Sequence, residues 1–79
     1  MGNPATVNGL IAVTPDDDND LPDGVTRGVY VGVAGDVTLI SESGSTITLK
    51  NLAAGILHPI AVTRIEATGT TATDIVALY

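Results

Sequence analysis

The chain has 79 residues, 44% of them hydrophobic and 15% charged, with nine acidic residues against three basic ones and a net charge of −6. That is one domain at most, too apolar to stay disordered. Arg27, Lys50 and Arg64 stand apart from one another and supply no basic stripe, so nucleic acid is not an expected partner.

The apolar set is small in bulk: there is no Phe and no Trp, and only Tyr30, Tyr79 and Met1 are large. A core must come from Val, Ile, Leu and Ala. Cysteine is absent, which excludes disulfides and thiolate zinc sites. A domain of this size without such staples is marginal alone, so completion by partner subunits is expected. No run is apolar and long enough for a transmembrane helix, and the start lacks a basic, apolar signal sequence, so no membrane partner is expected. "MGNPAT" fits the loose myristoylation pattern through Gly2 and Thr6, but an ordinary polar leader satisfies it equally.

In chain order, "TVNGLIAVT" (Thr6 to Thr14) reads as a strand broken at Asn8-Gly9 or as an extended arm. "PDDDNDLPDG" follows, a polar loop bracketed by prolines. Its Asp16, Asp18 and Asp20 occupy the first alternate positions of an EF-hand loop. Leu21 then stands where glycine is needed and Arg27 where glutamate is needed, so that motif fails. An irregular calcium site remains an alternative. A solvated loop held open by its own repulsion is the expectation.

"VTRGVYVGV" alternates. Val25, Val29, Val31 and Val33 share one face, interrupted by Arg27, while Thr26, Gly28, Tyr30 and Gly32 share the other. The two glycines leave space on that second face, for a bend or for the close approach of another backbone. Ala34-Gly35 is expected to turn the chain into "DVTLIS" (Asp36 to Ser41), and "ESGS" into "TITLK" (Thr46 to Lys50), with Ile47 and Leu49 inward. Three such strands make a meander. "NLAAG" reads as a turn or one loose helical loop. "ILHPIAVTRI" reads as one long strand whose first half Pro59 demotes to an edge or bulge. "EATGTTATD" is a loop and "IVALY" a final, buried strand. The prediction is all-β: a small antiparallel β-sandwich or barrel of five to seven strands with an extended N-terminal arm. Residues 1–20 form the arm and acidic loop, and residues 21–79 a single β-domain.

Nothing in the chain spells a reaction. His58, the sole histidine, has no acid near it in sequence, and Ser41, Ser43 and Ser45 sit in a turn without a nucleophile elbow. The glycines match no phosphate loop. No catalytic, cofactor-binding or metal-binding residue is assigned, and no cofactor is expected.

Several ordered segments resemble a family. "DLPDGVTRGVYVGVAGDVTLI", "AAGILHPIAVTRI" and "ATGTTATDIVALY" are similar to small tailed-phage virion proteins related to the head-spike base protein of gene transfer agents, the phage-like particles some bacteria produce. The likeness runs from about Asp20 to Tyr79. Leu21-Pro22, Thr26-Arg27 and Tyr30 match the family's Leu-Pro, Thr-Arg-Ala and aromatic strand. Gly28 replaces the expected Ala, and Ala53 the expected Pro. The resemblance implies a non-enzymatic structural protein of the virion, made in the bacterial host cytoplasm and carried on the capsid surface as decoration, cement or the base of a spike or fibre. Its implied partners are the major capsid protein, further copies of itself (a trimer or pentamer) and a spike or fibre protein. The arm, Met1 to Thr14, is the expected bridging element. A tail or baseplate component, and a stand-alone calcium- or glycan-binding module, are the alternatives.

Overall fold

The computed structural model of the protein describes residues 9–79. Gly2 and Thr6 of the leader, and the first eight residues of the predicted arm, lie outside the described residues. The described chain is all-β: β1 (Leu10–Ala12), β2 (Gly28–Val33), β3 (Gly35–Ser41), β4 (Thr46–Leu52), β5 (Leu57–His58), β6 (Val62–Ile65) and β7 (Thr73–Leu78). They form two antiparallel sheets, one in the order β1-β7-β2-β5 and the other β4-β3-β6. The expected antiparallel sandwich is the fold found.

Period-two alternation builds the core. Val29 and Val31 of β2 and Ile75 of β7 point inward from the first sheet. Val37 and Leu39 of β3, with Val62 and Ile65 of β6, meet them from the second. All are branched aliphatics, which suit a pleated surface. The final apolar strand is central: β7 lies between β1 and β2, and Ile75, Ala77 and Leu78 are buried.

Four expectations need correction. The meander does not form: a reversal between paired strands needs at least two loop residues, and only Ala34 separates β2 from β3. The chain instead turns a corner and changes sheets. Gly35 is required at that corner, because a Cβ there would sit 2.6 Å from the Ala72 nitrogen. The segment read as one long strand is two, β5 pairing with β2 and β6 with β3 in opposite sheets. Pro59, which has no N–H for a ladder, marks the break, and β5 is an edge strand as expected. Val25 and Val33 are exposed, since one precedes β2 and the other ends it. Ile47 does share the face of its cross-strand partner Leu39, but at 53% exposure it is not covered. The core layer stops before reaching it.

One buried polar residue ties the two halves of the chain. Thr26 is 2% exposed; its hydroxyl donates to the Ile60 carbonyl at 2.9 Å and accepts from the Val62 N–H at 3.1 Å. Thr26→Val keeps the shape and strands both backbone groups. It should cost about 1–3 kcal/mol, measured by urea unfolding, whereas Thr26→Ser should cost less because it keeps the hydroxyl.

Candidate docking face

Two surface features stand out, and the first is the outer face of the larger sheet. Register places Ala12, Val76, Tyr30 and Leu57 side by side across β1, β7, β2 and β5, with Leu10, Leu78 and Gly28 in the adjoining row. Six of these residues line an apolar groove of about 500 Å³: Leu10, Ala12, Tyr30, Leu57, Val76 and Leu78. No charged side chain lines it. Leu10 is 69% exposed, Leu57 46% and Tyr30 36%. In an isolated domain, water would wet all three.

Gly28 lies beneath Leu57, one wall of the groove. A Cβ there would lie 3.2 Å from Leu57 Cδ2 and 3.1 Å from the His58 carbonyl oxygen, crowding the β2–β5 side of the face. The departure from the Ala of the resembling family therefore leaves room on this face. Sequence reasoning found the space left by the glycines but not its walls, because Leu10, Val76 and Leu57 arrive from distant parts of the chain.

The second feature is the acidic loop. Expected to be held open by repulsion, it is latched instead. Arg64 of β6 donates from Nε to Asp20 Oδ1 at 2.9 Å, and from its two terminal nitrogens to the carbonyls of Asp17 and Asp18 at 3.0 and 3.4 Å. Asp17 accepts both the N–H and the hydroxyl of Thr68, at 2.9 and 2.6 Å. Asp16 accepts from the Asp18 N–H at 2.8 Å and from the Asn19 side chain at 3.0 Å. One guanidinium and one threonine outweigh the repulsion, which exposed carboxylates feel only weakly in water. The Asp16, Asp18 and Asp20 of the calcium alternative do not converge: among the described residues no group of three His, Cys, Asp or Glu side chains is arranged to hold a metal ion.

The loop's chemistry gives a pH dependence. Hydrogen bonds from the Thr68 side chain and backbone hold the Asp17 carboxyl below its ordinary value of 3.8, and bonds from Asn19 and Asp18 do the same for Asp16. A depressed carboxylate contributes stability that is complete above its unfolded pKa and is lost as pH falls through the folded one. The loop should therefore stay latched down to about pH 4 and release only below it. Asp17→Asn should flatten the acid limb of a melting-temperature-against-pH curve.

The remaining polar groups close loops. His58 lies in β5 with Nε2 2.9 Å from the Ala53 carbonyl, and the Ser41 and Ser43 hydroxyls meet at 2.9 Å within the β3–β4 turn. The threonine loop before β7 works similarly. Thr71 Oγ1 accepts from the Asp36 N–H and Thr70 Oγ1 from the Thr38 N–H, completing β3 where β6 no longer reaches it. Tyr79 packs on Gly9 and donates to the Gly24 carbonyl at 3.3 Å; burial pushes its phenol up. Arg27, exposed just before β2, donates its backbone N–H to the Leu78 carbonyl.

No family model and no curated protein matches the chain. A solved structure does: a chain in the capsid of a native gene transfer agent particle, computed with C5 symmetry. It superposes with a TM-score of 0.81 at 32% identity, over 94% of this chain and 84% of that one. The chain belongs to that protein's family. The β-sandwich is thus shared with that protein across a sequence that differs at two positions in three. Among the described residues no helix is long and apolar enough to cross a membrane.

Proposed function

We propose that this protein is a non-enzymatic structural component of a phage-like particle, attached to the capsid surface as decoration, cement or the base of a spike or fibre. The observation that carries this is the uncharged apolar groove on a domain whose family includes a chain of a gene transfer agent capsid. Leu10, Tyr30 and Leu57, exposed together on one face with no charge among them, are what a contact site presents. The occupant we assign is an uncharged, apolar patch of the major capsid protein: a charged patch would lose its hydration on this face and meet no counter-charge.

Attachment as a homo-oligomer follows from the same economy of size. A shell presents its subunits in many symmetry-related copies, so each small contact gains from high effective concentration. Weak docking per copy is then sufficient, and a thin aliphatic core is tolerable.

The segment before β1 is the proposed bridge, and the structure sharpens how to test it. Leu10–Ala12 pairs with β7, and the Val13 N–H donates to the Ile75 carbonyl at 2.8 Å, so removal through Thr14 would uncover a core strand. A chain beginning at Gly9 keeps every described contact. It should melt within a few degrees of the full chain, and co-sedimentation with purified shells should fall at least tenfold. Unchanged co-sedimentation would take the bridging role from residues 1–8 and leave attachment to the groove alone.

A further inference from the structure

The four edges of the two sheets are not alike. In the smaller sheet, the outer edge of β6 is covered by the chain's own loop. Asp16, Leu21 and Thr26 donate their N–H groups to the carbonyls of Ile65, Thr63 and Val62. In the larger sheet, β5 is an edge of only two residues ended by Pro59, which has no N–H to offer. Those two edges are closed to strand addition by devices natural sheets use against it.

The other two are less guarded among the described residues: β1 is short but has neither a proline nor a covering loop, and β4 is bulged only at its far end, at Lys50 and Asn51, leaving Thr46 to Leu49 regular. Gly9 and Tyr79 exchange both of their backbone bonds, so by alternation Leu10 and Ala12 turn their N–H and C=O groups away from β7, toward the open side of β1. On β4 the Ser41–Ser45 bond sets the same alternation, and Thr46 and Thr48 face outward. β4 is seven residues long, contains no proline, and carries the exposed Ile47 beside its edge.

We infer that the open edge of β4 takes β1 of a second copy of this chain, joining the small sheet of one subunit to the large sheet of the next. The inference rests on the homo-oligomeric reading proposed above. Charge favours this pairing over β4 on β4. Five of the nine acidic residues fall between Asp16 and Asp23, just after β1, whereas Ser43 to Arg64 contains no acidic residue and includes Lys50. The Lys50 ammonium is well exposed beside β4, with Asp36 of its own chain 3.4 Å away. Head-to-tail contact therefore sets the acidic end of one copy against a strand that carries Lys50 and no acid of its own, with Asp36 on β3 and Glu42 in the β3–β4 turn as its acidic neighbours.

Such a contact is heterologous, and it closes into a ring when its rotation permits. Its area decides when it forms. A stable protein–protein contact covers about 800 Å² per partner, and a three-residue strand offers far less. Pairing should be scarce in dilute solution and prevalent where copies are held together on a shell. Ring closure gives the unpaired edges a use and removes the aggregation hazard they would otherwise carry.

The chain has no cysteine, so single introduced thiols report cleanly. Thr14, just past β1 and outside the groove, and Thr46 are both exposed. Thr14→Cys and Thr46→Cys proteins, each first shown by circular dichroism to keep the β-fold, are loaded on shells alone or mixed and treated with a short bismaleimide. The mixture should give a cross-linked dimer at least tenfold above either protein alone. A further Thr48→Pro substitution in the Thr46→Cys protein, at an outward-facing N–H, should remove the product. Cross-linked dimer from Thr46→Cys alone would overturn the pairing in favour of β4 on β4. Shell-bound protein with no mixed product would overturn it while leaving capsid attachment intact. Mixed product in concentrated protein that never binds shells would support the pairing and refute the attachment.

Discussion

Leu57→Asp combined with Tyr30→Asp should reduce attachment to shells by about a hundredfold or more and leave the fold in place. Both side chains stand on the outer face of the large sheet, touching the groove and not the core. In the free protein the new carboxylates are hydrated and nearly neutral in effect. In the docked state they would face an apolar surface without partners. Residues at the centre of an interface commonly carry 2 kcal/mol or more each, and each 1.4 kcal/mol is a factor of ten in affinity. Val33→Asp serves as the control, because Val33 is half exposed but lies away from the groove. Its attachment should be unchanged. Equal loss in both proteins would mean that charge alone, and not the groove, governs binding.

The second large effect is on stability. Ile65 is 1% exposed and sits where both sheets meet, and its carbonyl also receives the Asp16 N–H that anchors the acidic loop. Ile65→Ala should cost about 2–5 kcal/mol, the sum of lost transfer energy and an unfilled cavity. A domain of this length has a total stability of about 4–12 kcal/mol. With no aromatic in the core to shift into the gap, collapse around the site is limited. The variant should be mostly unfolded near the melting midpoint of the parent, and the acidic loop should lose its anchor at the same transition. If the loop amides exchange with solvent well before the core does, the latch to Arg64 and Thr68 is independent of the core.

What could be read from the sequence was local. Alternation identified Val29 and Val31, and branched residues fixed the all-β class, because side-chain parity in a strand is a property of neighbouring residues. Partners were not legible. β2 pairs with β7, 40 to 50 residues later, and the one-residue link to β3 has the composition of a turn although it joins separate sheets. Thr26 read as an outward strand residue, since nothing nearby announces that Ile60 and Val62 need its hydroxyl. The acidic loop misled for the same reason: its counter-charge, Arg64, is 44 residues from Asp20. Gly28 was recognised as leaving space, yet a groove needs walls, and Leu10 and Leu57 come from opposite ends of the chain. The family resemblance fared differently. Ordered segments survive where pairing cannot be deduced, and Leu21 and Thr26 of those segments are found tying the loop to β6.

The most direct test of the account is to image particles made with and without this protein by electron cryomicroscopy and to subtract one map from the other. Added density is expected on the outer capsid surface, fitted by this sandwich with the β1-β7-β2-β5 sheet turned toward the shell. Density confined to the tail or baseplate, or a sandwich on the capsid with that sheet facing solvent, would contradict it.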